Sequence, residues 1–570
     1  MSKTLNQDEL IGRAMTLVHD TWREASRGIT PGEPIRVLPR VDFAESQRRS
    51  KVGKALLEQG GQIDLDLLPH ELALTVRVAL SKATNWSREE EWYWLVFDAL
   101  GAEVPAMFAA TPYGGGILLG SLLNNFSTLP VHSRGDRHRY LGLLADYAEL
   151  IGQLHTRTVG QEERGIFMPR AQLLQSGPLL IGLKAQAMAV LKPLPERAGA
   201  GAEEFLAEVD RTLHGEVAAA YDAFIAFLAG DYAGRCGDTV GLGQYAGGPE
   251  VYEALVKTHT TMNLIPAQVH ARGLERMTSI WRQMKEVLDG LGFEGDPKAF
   301  VRAAADDPQW RARTPEAIAA VFQRYIDRLK PKLEQVFHMQ SPTPYHVEAL
   351  PAALSGSMTF GYYDAPTPER PSGRYLFNAK NLAESDLCSI ASLTYHEMAP
   401  GHHTHISRQF DAQHLHPLRK RASFTAYNEG WAEYAATLAG ELGGYEAPQE
   451  HFGRLMMDAF LTSRLVVDTG MNALGWDLET ARQYMRDFTF MNEVEIRSES
   501  VRYSCDIPGQ SLAYKLGDTH MLEMREKMRA RLGDRFDIRD FHEAVLKPGS
   551  LPLSILADHV QRETERIAGA

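Results

Sequence analysis

The feature that most restricts the fold of this chain is a proline followed by a glycine inside a histidine-rich run at residues 395–405, Tyr-His-Glu-Met-Ala-Pro-Gly-His-His-Thr-His. Pro400 has no backbone N–H and clashes with the carbonyl four residues back, so it cannot continue an ordinary helix. Gly401 adds backbone freedom directly after it. We therefore predict that a helix carrying His396 breaks or bulges at residues 399–401.

The same run holds four histidines and one glutamate, which are ligands and a base of the kind found at zinc sites. On an unbroken helix His402 would point about 240° away from His396, whereas His403 would share its face but lie roughly 10 Å further along the axis. The predicted break allows one of these two histidines to approach His396, and we favour His402 because it follows Gly401. The alternative is a histidine-rich helix end whose imidazoles cap carbonyl groups.

A second motif, Asn-Glu-Gly-Trp-Ala-Glu at residues 428–433, lies at the start of a predicted helix that ends before Gly443. Glu429 and Glu433 are four residues apart and share one helical face, where two like charges are unfavourable unless a cation lies beside them. We predict that Glu429 is the third metal ligand and that Glu433 orients His396 through its other ring nitrogen. Two solvated glutamates on a surface helix are the alternative.

The two motifs together, His-Glu-x-x-Pro-Gly-His-His and Asn-Glu-Gly-Trp-Ala-Glu-Tyr, resemble the bacterial family called domain of unknown function 885, which in turn resembles gluzincin-type zinc metallopeptidases. Further similar blocks lie between residues 240 and 520, among them Arg464–Gly470 and Pro508–Gly517. The resemblance implies one zinc ion per chain, a helical body that encloses the metal in a deep cleft, and short peptides as substrates. One departure is Asn472, where the family is expected to have histidine.

The expected chemistry is hydrolysis of an amide bond. His396, His402 and Glu429 are expected to hold the zinc ion and to leave one position for water, while Glu397 acts as the general base. His403 is a fallback ligand or a neighbour of the ligands. The alternatives are a metal-dependent amidase or esterase for a non-peptide small molecule, and a non-catalytic peptide-binding protein. Asn472 favours the non-catalytic alternative, and the intact Glu397 argues against it.

Two downstream residues are candidates for handling substrate charge. Tyr514 is a candidate donor to the oxyanion that forms during hydrolysis. The planar guanidinium of Arg502 is a candidate anchor for a substrate carboxylate. The ordinary alternatives are a tyrosine hydroxyl bound to the backbone and an arginine paired with a nearby acid such as Glu499.

The region before the histidine-rich run has the alternation of a β-hairpin. We predict strands over Ser355–Tyr363 and Arg374–Asn378, joined by a proline-rich loop. In many zinc peptidases such a strand borders the cleft and pairs with an extended substrate, and Tyr362 and Tyr363 would then line substrate subsites. A surface hairpin with its aromatic side chains packed inward is the alternative.

Helical periodicity dominates the rest of the chain, for example over Glu203–Tyr232, where apolar residues recur at spacings of three and four. We predict a mainly α fold: a large two-lobed helical body with a central cleft and a small β-hairpin beside the metal motif. The glycine-rich residues 234–248 predict a boundary between an N-terminal helical lobe, 1–240, and a metal-binding lobe, 241–570. One continuous domain is the alternative.

Composition restricts the partners and the compartment. The net charge of -13 argues against nucleic acid. Three scattered cysteines are too few for a disulfide framework and favour a reducing compartment. Charged residues interrupt residues 1–20, and prolines and glycines interrupt the longest uncharged stretch, Val104–Ser133, so neither a secretion signal nor a membrane span is expected. We expect a cytoplasmic protein without a membrane partner, and no feature of the sequence indicates its oligomeric state.

Overall fold

A computed structural model of the chain describes residues 7–27, 35–351, 360–367, 370–384 and 387–569. Helices make up 71% of it, so the predicted mainly α fold is confirmed. The helices of the first half are α1 (Gln7–Ala25), α2 (Phe43–Gly60), α3 (His70–Trp86), α4 (Glu89–Trp92), α5 (Ile117–Thr128), α6 (Arg134–Glu163), α7 (Arg170–Val190), α8 (Pro195–Ala198), α9 (Glu203–Thr212), α10 (Ala218–Ala229), α11 (Asp231–Arg235) and α12 (Gly248–Thr260).

The second half is also helical, with three short strands. Its helices are α13 (Pro266–Gly290), α14 (Pro297–Asp306), α15 (Pro315–Leu329), α16 (Ala379–Glu384), α17 (Ile390–Glu397), α18 (His402–Asp411), α19 (Pro417–Lys420), α20 (Thr425–Glu441), α21 (Pro448–Ala473), α22 (Leu478–Phe488), α23 (Glu493–Val501), α24 (Ala513–Leu532), α25 (Ile538–Leu546) and α26 (Leu553–Gly569). No helix in the described ranges is both long and apolar enough to cross a membrane.

The chain divides into two compact units. Unit 1 comprises Met1–Leu255, Met471–Leu478 and Val501–Pro508, and unit 2 comprises Val256–Gly470, Glu479–Ser500 and Gly509–Ala570. The two later segments of unit 1, 471–478 and 501–508, return to it from the second half of the chain. Backbone hydrogen bonds join them to the rest of unit 1, for example from Met107 N to Asp506 O at 2.8 Å. The sequence-based lobe boundary after residue 240 stays a prediction, and these returning segments do not follow from it.

In unit 1, the apolar stripe predicted over Glu203–Tyr232 is confirmed as core. The region is divided among α9, a π-helical turn, α10 and α11 rather than forming one helix. Most residues of the stripe are buried and two, Leu206 and Phe227, are partly buried, because i, i+3 and i+4 spacing keeps them on one face. Those buried are Phe205, Val209, Leu213, Val217, Tyr221 and Phe224.

In unit 2, α20 and α24 pack backbone against backbone. A Cβ atom on Gly430 would lie 2.5 Å from the carbonyl carbon of Gly517, and a Cβ atom on Gly517 would lie 2.2 Å from the carbonyl oxygen of Ala426. Any larger residue would force the two helices apart. The two glycines therefore fix the spacing of a helix that carries Glu429 and a helix that begins beside Tyr514.

A three-stranded sheet accompanies these helices in unit 2. Its strands are β1 (Tyr345–Ala349), β2 (Gly361–Asp364) and β3 (Gly373–Phe377), in the order β1-β3-β2. β2 and β3 are antiparallel, with Tyr363 opposite Tyr375, so the predicted hairpin is confirmed over these strands. Residues 355–359 of its predicted first strand lie outside the described residues. β1 pairs with β3 in parallel and was not predicted.

Candidate metal centre

The helix break predicted around the proline is confirmed. α17 ends at Glu397 and α18 begins at His402, and the peptide bond between Ala399 and Pro400 is cis. A Cβ atom on Gly401 would lie 1.9 Å from the carbonyl oxygen of His396, so the chain can turn this closely only with glycine at that position. The indole N–H of Trp431 on α20 donates to the carbonyl of Pro400 at 2.9 Å and holds the turn.

The break brings together three of the residues predicted to bind metal. His396 Nε2 lies 3.5 Å from Glu429 Oε2, and His402 Nε2 lies 3.3 Å from the same oxygen. Each residue offers one atom to a group whose members are all within 4.8 Å of one another. Ligand atoms about 2 Å from one tetrahedral ion are about 3.3 Å apart. The observed spacing and the donor set of two imidazoles and one carboxylate therefore both fit a zinc ion.

Within this group, the neighbouring charges shift the pKa values of Glu429 and His396 in the direction opposite to the effect of burial. Burial alone would raise the pKa of Glu429, but the imidazoles of His402 and His396 outweigh it and hold that pKa well below its usual range. Burial lowers the pKa of His396, yet the carboxylates of Glu429 and Glu433 outweigh this effect and raise it to about 10. Without a bound metal this group is therefore a cluster of opposite charges, with His396 protonated at neutral pH.

The outer nitrogen of His396 is held as predicted. Its Nδ1 donates to Glu433 Oε1 at 2.8 Å, and Arg454 Nη1 on α21 donates to the other oxygen of the same carboxylate at 3.0 Å. Arg454 Nη2 also donates to Thr437 Oγ1 at 3.0 Å. Burial favours the neutral form of Glu433, but Arg454 and His396 together outweigh it and lower the pKa of Glu433 to about 2. Glu433 is therefore a charged acceptor that orients the His396 ring.

His403 faces away from this group. Its Nδ1 lies 2.8 Å from the Tyr363 hydroxyl, and its ring centroid lies 4.2 Å from that of Tyr345. Burial lowers the pKa of His403 to about 4, although a hydrogen bond to the backbone of Thr343 acts in the opposite direction. The imidazole is therefore neutral and joins α18 to the sheet. Of the two histidines considered from the sequence, the structure brings His402, and not His403, to the group.

Glu397 lies at the last position of α17 and is buried. Burial raises the pKa of its carboxyl group, and the nearby His402 and His396 act in the opposite direction. The carboxyl group thus lies within electrostatic reach of both histidines without belonging to the group of three candidate ligands.

Tyr514 also lies beside the group, as its predicted role requires. Its ring is nearly parallel to that of His396, with centroids 6.3 Å apart and an interplanar angle of 12°. The guanidinium of Arg464 lies 4.5 Å from the centroid of the Tyr514 ring, and Arg464 Nη2 donates to Glu499 at 3.1 Å. The Tyr514 ring thus lies near both an imidazole and a cation.

The remaining residues singled out from the sequence do not belong to the group of His396, His402 and Glu429. Arg502 belongs to unit 1, where its guanidinium lies 5.0 Å from the ring centroid of Tyr113. Tyr362 and Tyr363 lie on β2 and are both half-buried, and the Tyr363 hydroxyl contacts His403 on α18. The Asn472 side chain binds the backbone of two other segments of unit 1. Its Oδ1 accepts from Leu242 N at 2.9 Å, and its Nδ2 donates to Tyr503 O at 3.0 Å.

Two residues near the ligands were not given roles from the sequence. His405 Nε2 lies 3.0 Å from His402 Nδ1. Arg454 binds Glu433 from a different helix. The sequence signal for His405 was its place three residues after His402 on one helical face, whereas no motif marks Arg454.

A cavity of about 410 Å³ opens on another side of the motif. Ala399, His403 and Thr404 form part of its wall, together with residues of α15 and the segment before β1. His396, His402 and Glu429 do not line this cavity, so it is distinct from the space at their converging atoms.

The fold and the site together define a class: a mainly helical protein in which two histidines and one glutamate form a largely buried group. The chain belongs to the family described as bacterial protein of unknown function, DUF885, whose model matches residues 37–560. The family expected from the two motifs is therefore confirmed. None of the curated proteins compared with the chain matches it significantly.

Two solved structures have the same fold. Both proteins are named "putative lipoprotein". The one from Colwellia psychrerythraea is 22% identical, with a TM-score of 0.84 over 98% of this chain and 99% of that chain. The one from Shewanella oneidensis, described as of unknown function, is 16% identical, with a TM-score of 0.70 over 97% of this chain and 98% of that chain. At these identities the likeness concerns the fold alone.

Proposed function

We propose that this protein is a zinc-dependent peptidase that hydrolyses short peptides. The observation that carries the proposal is the convergence of His396 Nε2, His402 Nε2 and a Glu429 oxygen in one group, of which His396 is buried and Glu429 is partly exposed. Glu397 next to the first ligand supports it, because a carboxylate beside the metal is the usual base of such enzymes. The resemblance of the motifs to gluzincin-type peptidases supports the choice of peptides as substrates.

His396, His402 and Glu429 would hold one zinc ion per chain. Bound zinc would polarise a carbonyl group and make water a better nucleophile near neutral pH. Glu433 and its partner Arg454 would keep the proton of His396 on Nδ1, so that the Nε2 lone pair is available.

Glu397 would move the protons. It accepts one from the attacking water and delivers it to the departing amine. Its burial suits this task, because a carboxyl group whose pKa is raised becomes a stronger base and a usable acid near neutral pH.

Charge on the reacting carbonyl would be stabilised by Tyr514, whose ring lies against His396. Tyr363 and Tyr362 on β2 would line substrate subsites, since Tyr363 reaches the histidine-rich helix. Arg502 stays a candidate for binding a substrate carboxylate.

The test combines metal analysis with peptide digestion. Zinc per chain is measured in the wild type, Glu429→Ala, Glu397→Gln and a control, Glu446→Gln, at an exposed position in unit 2. The same proteins are incubated with a library of short peptides, and the products are read by mass spectrometry. We expect one zinc per chain in the wild type, Glu397→Gln and Glu446→Gln, and no zinc in Glu429→Ala. We expect peptide cleavage by the wild type and Glu446→Gln alone.

Other outcomes contradict parts of the proposal. Full turnover by Glu397→Gln would refute the assignment of the base. A wild type without metal would refute the zinc centre. Zinc without peptide cleavage would refute the peptidase assignment, and a panel of non-peptide amides and esters would then test the amidase or esterase alternative.

We also propose a cytoplasmic location. All three cysteines are free and buried, which suits a reducing compartment. The two similar solved structures are each named "putative lipoprotein". Fractionation of cells that express the native gene tests the proposal, and recovery of the protein with membranes or periplasm would refute it.

A further inference from the structure

We infer that His405 is a positioning residue for His402: the contact between His402 Nδ1 and His405 Nε2, at 3.0 Å, holds the His402 ring with its Nε2 toward the metal centre. This inference rests on the proposed function, because it takes His402 as a zinc ligand. His405 lies one turn further along α18, so the same helix supplies a ligand and the group that orients it.

The tautomers follow from the geometry. A neutral imidazole has one N–H and one lone pair. His402 can bind a cation through Nε2 only if its lone pair is there, so the proton must be on Nδ1. That proton faces His405 Nε2, which must therefore accept it with a lone pair. The proton of His405 is consequently on its own Nδ1.

The surroundings of His405 Nδ1 support a role beyond packing. This atom is buried and has no hydrogen-bond partner in the part of the chain that the structure describes. A buried polar atom without a partner is unfavourable for folding. The His405 ring does pack against Tyr427, with centroids 5.9 Å apart and an angle of 79°, but an apolar ring would make that contact without the cost. What an apolar ring cannot do is accept the proton of His402.

The two histidine ligands are thus held by different kinds of acceptor. His396 donates to the charged Glu433, whereas His402 donates to a neutral imidazole. Outer partners of this kind typically change metal affinity by about 10- to 100-fold. We therefore expect His405 to contribute to zinc affinity without touching the metal or the substrate.

The experiment compares His405→Phe, which keeps the ring and removes the acceptor, with His405→Gln, whose amide oxygen can accept in its place. His403→Phe is the matched control, because His403 is on the same helix and equally buried but faces Tyr363. The zinc dissociation constant of each metal-free protein is measured by competition with a chromophoric chelator. The visible spectrum of the Co²⁺-substituted protein reports ligand geometry, and circular dichroism reports folding.

We expect His405→Phe to raise the zinc dissociation constant about 10- to 100-fold and to change the Co²⁺ spectrum. His405→Gln and His403→Phe should stay close to the wild type. Equal affinity in the wild type and His405→Phe would overturn the inference. A loss in His405→Gln as large as in His405→Phe would also overturn it, because the loss would then come from packing, and so would an equal loss in His403→Phe.

If His405→Phe does not fold, the comparison of His405→Gln with His405→Asn decides. The shorter Asn side chain does not reach His402 Nδ1, so only the Asn variant should lose affinity, and equal affinities would overturn the inference. A wild type that binds zinc with this pattern but cleaves no peptide would refute the peptidase assignment and leave the role of His405 in place. A wild type that binds no zinc would refute both.

Discussion

The ion pair between Arg454 and Glu433 supports the most quantitative prediction. The guanidinium donates to a carboxylate that is 1% exposed in its side chain, while the arginine side chain is 13% exposed. In Arg454→Met a chain of similar length replaces the guanidinium, and Glu433 is left buried with His396 as its partner. Removing one member of a buried pair costs about 3–5 kcal/mol when the remaining charge is left without a partner, and the protonated His396 that still pairs with Glu433 places the cost near the lower end of this range. We expect a loss of this size in the free energy of unfolding of the metal-free protein.

A double-mutant cycle separates this effect from lost packing. Arg454→Met leaves the Glu433 carboxylate without its arginine partner, and Glu433→Gln removes that charge. The free energy of unfolding lost by the double variant should therefore be about 2 kcal/mol smaller than the sum of the two single losses. Asp458 also lies near Arg454, but it retains ion pairs with Lys515 at 2.9 Å and with Arg276 at 2.6 Å when Arg454 is replaced. The double-mutant cycle therefore reports mainly on the pair of Arg454 with Glu433.

The assay is urea unfolding in the presence of a chelator, followed by both circular dichroism and tryptophan fluorescence. Arg454→Lys is the control that retains a positive charge but cannot reach Glu433 and Thr437 together, and it should lose less than Arg454→Met. A single-variant loss below about 1 kcal/mol, or additive losses in the cycle, would refute the view that Arg454 keeps Glu433 charged.

Three further predictions follow from the same unit. In the metal-free protein the pKa of His396 is raised to about 10 from about 6.5 in the unfolded chain, so its protonation stabilises the fold fully below pH 6.5, and this contribution is lost as the pH rises through 10. Zinc binding at pH 8 should therefore release about one proton from His396, and calorimetry in buffers of different ionisation enthalpy would contradict this if it found none. Gly430→Ala should destabilise the protein by about 2–3 kcal/mol in urea unfolding, whereas Gly12→Ala on α1, where a Cβ meets nothing within 4 Å, should not destabilise it. His402→Ala should lose zinc in metal analysis and His403→Ala should retain it, and the reverse pattern would exchange their roles.

The path of the chain through the histidine-rich run could be predicted because its causes are local. Pro400 excludes a continuous helix whatever surrounds it, and Gly401 permits the close turn that follows. Helical spacing alone also placed Glu429 and Glu433 on one face. Each of these inferences needed only residues within one turn or two of each other.

The remaining features depend on contacts between distant segments. Arg454 reaches Glu433 because α21 packs beside α20, and no spacing in the sequence expresses that. β1 pairs with β3 in parallel, and its five residues alternate in burial, but its own short alternation gave too weak a signal. The division of the units places Arg502 in unit 1, which proximity to Tyr514 in the sequence could not indicate.

The contact between Gly430 and Gly517 has a consequence for protein engineering. Because the two backbones touch there, a displacement of α24 along its axis would be transmitted directly to α20 and to Glu429, the proposed ligand. Tyr514 lies on α24 itself, so the same displacement would move the ring that faces His396. If the proposed metal centre is correct, substitutions on α24 thus offer a way to adjust its geometry, and with it the choice among divalent ions, while all three proposed ligands stay as they are.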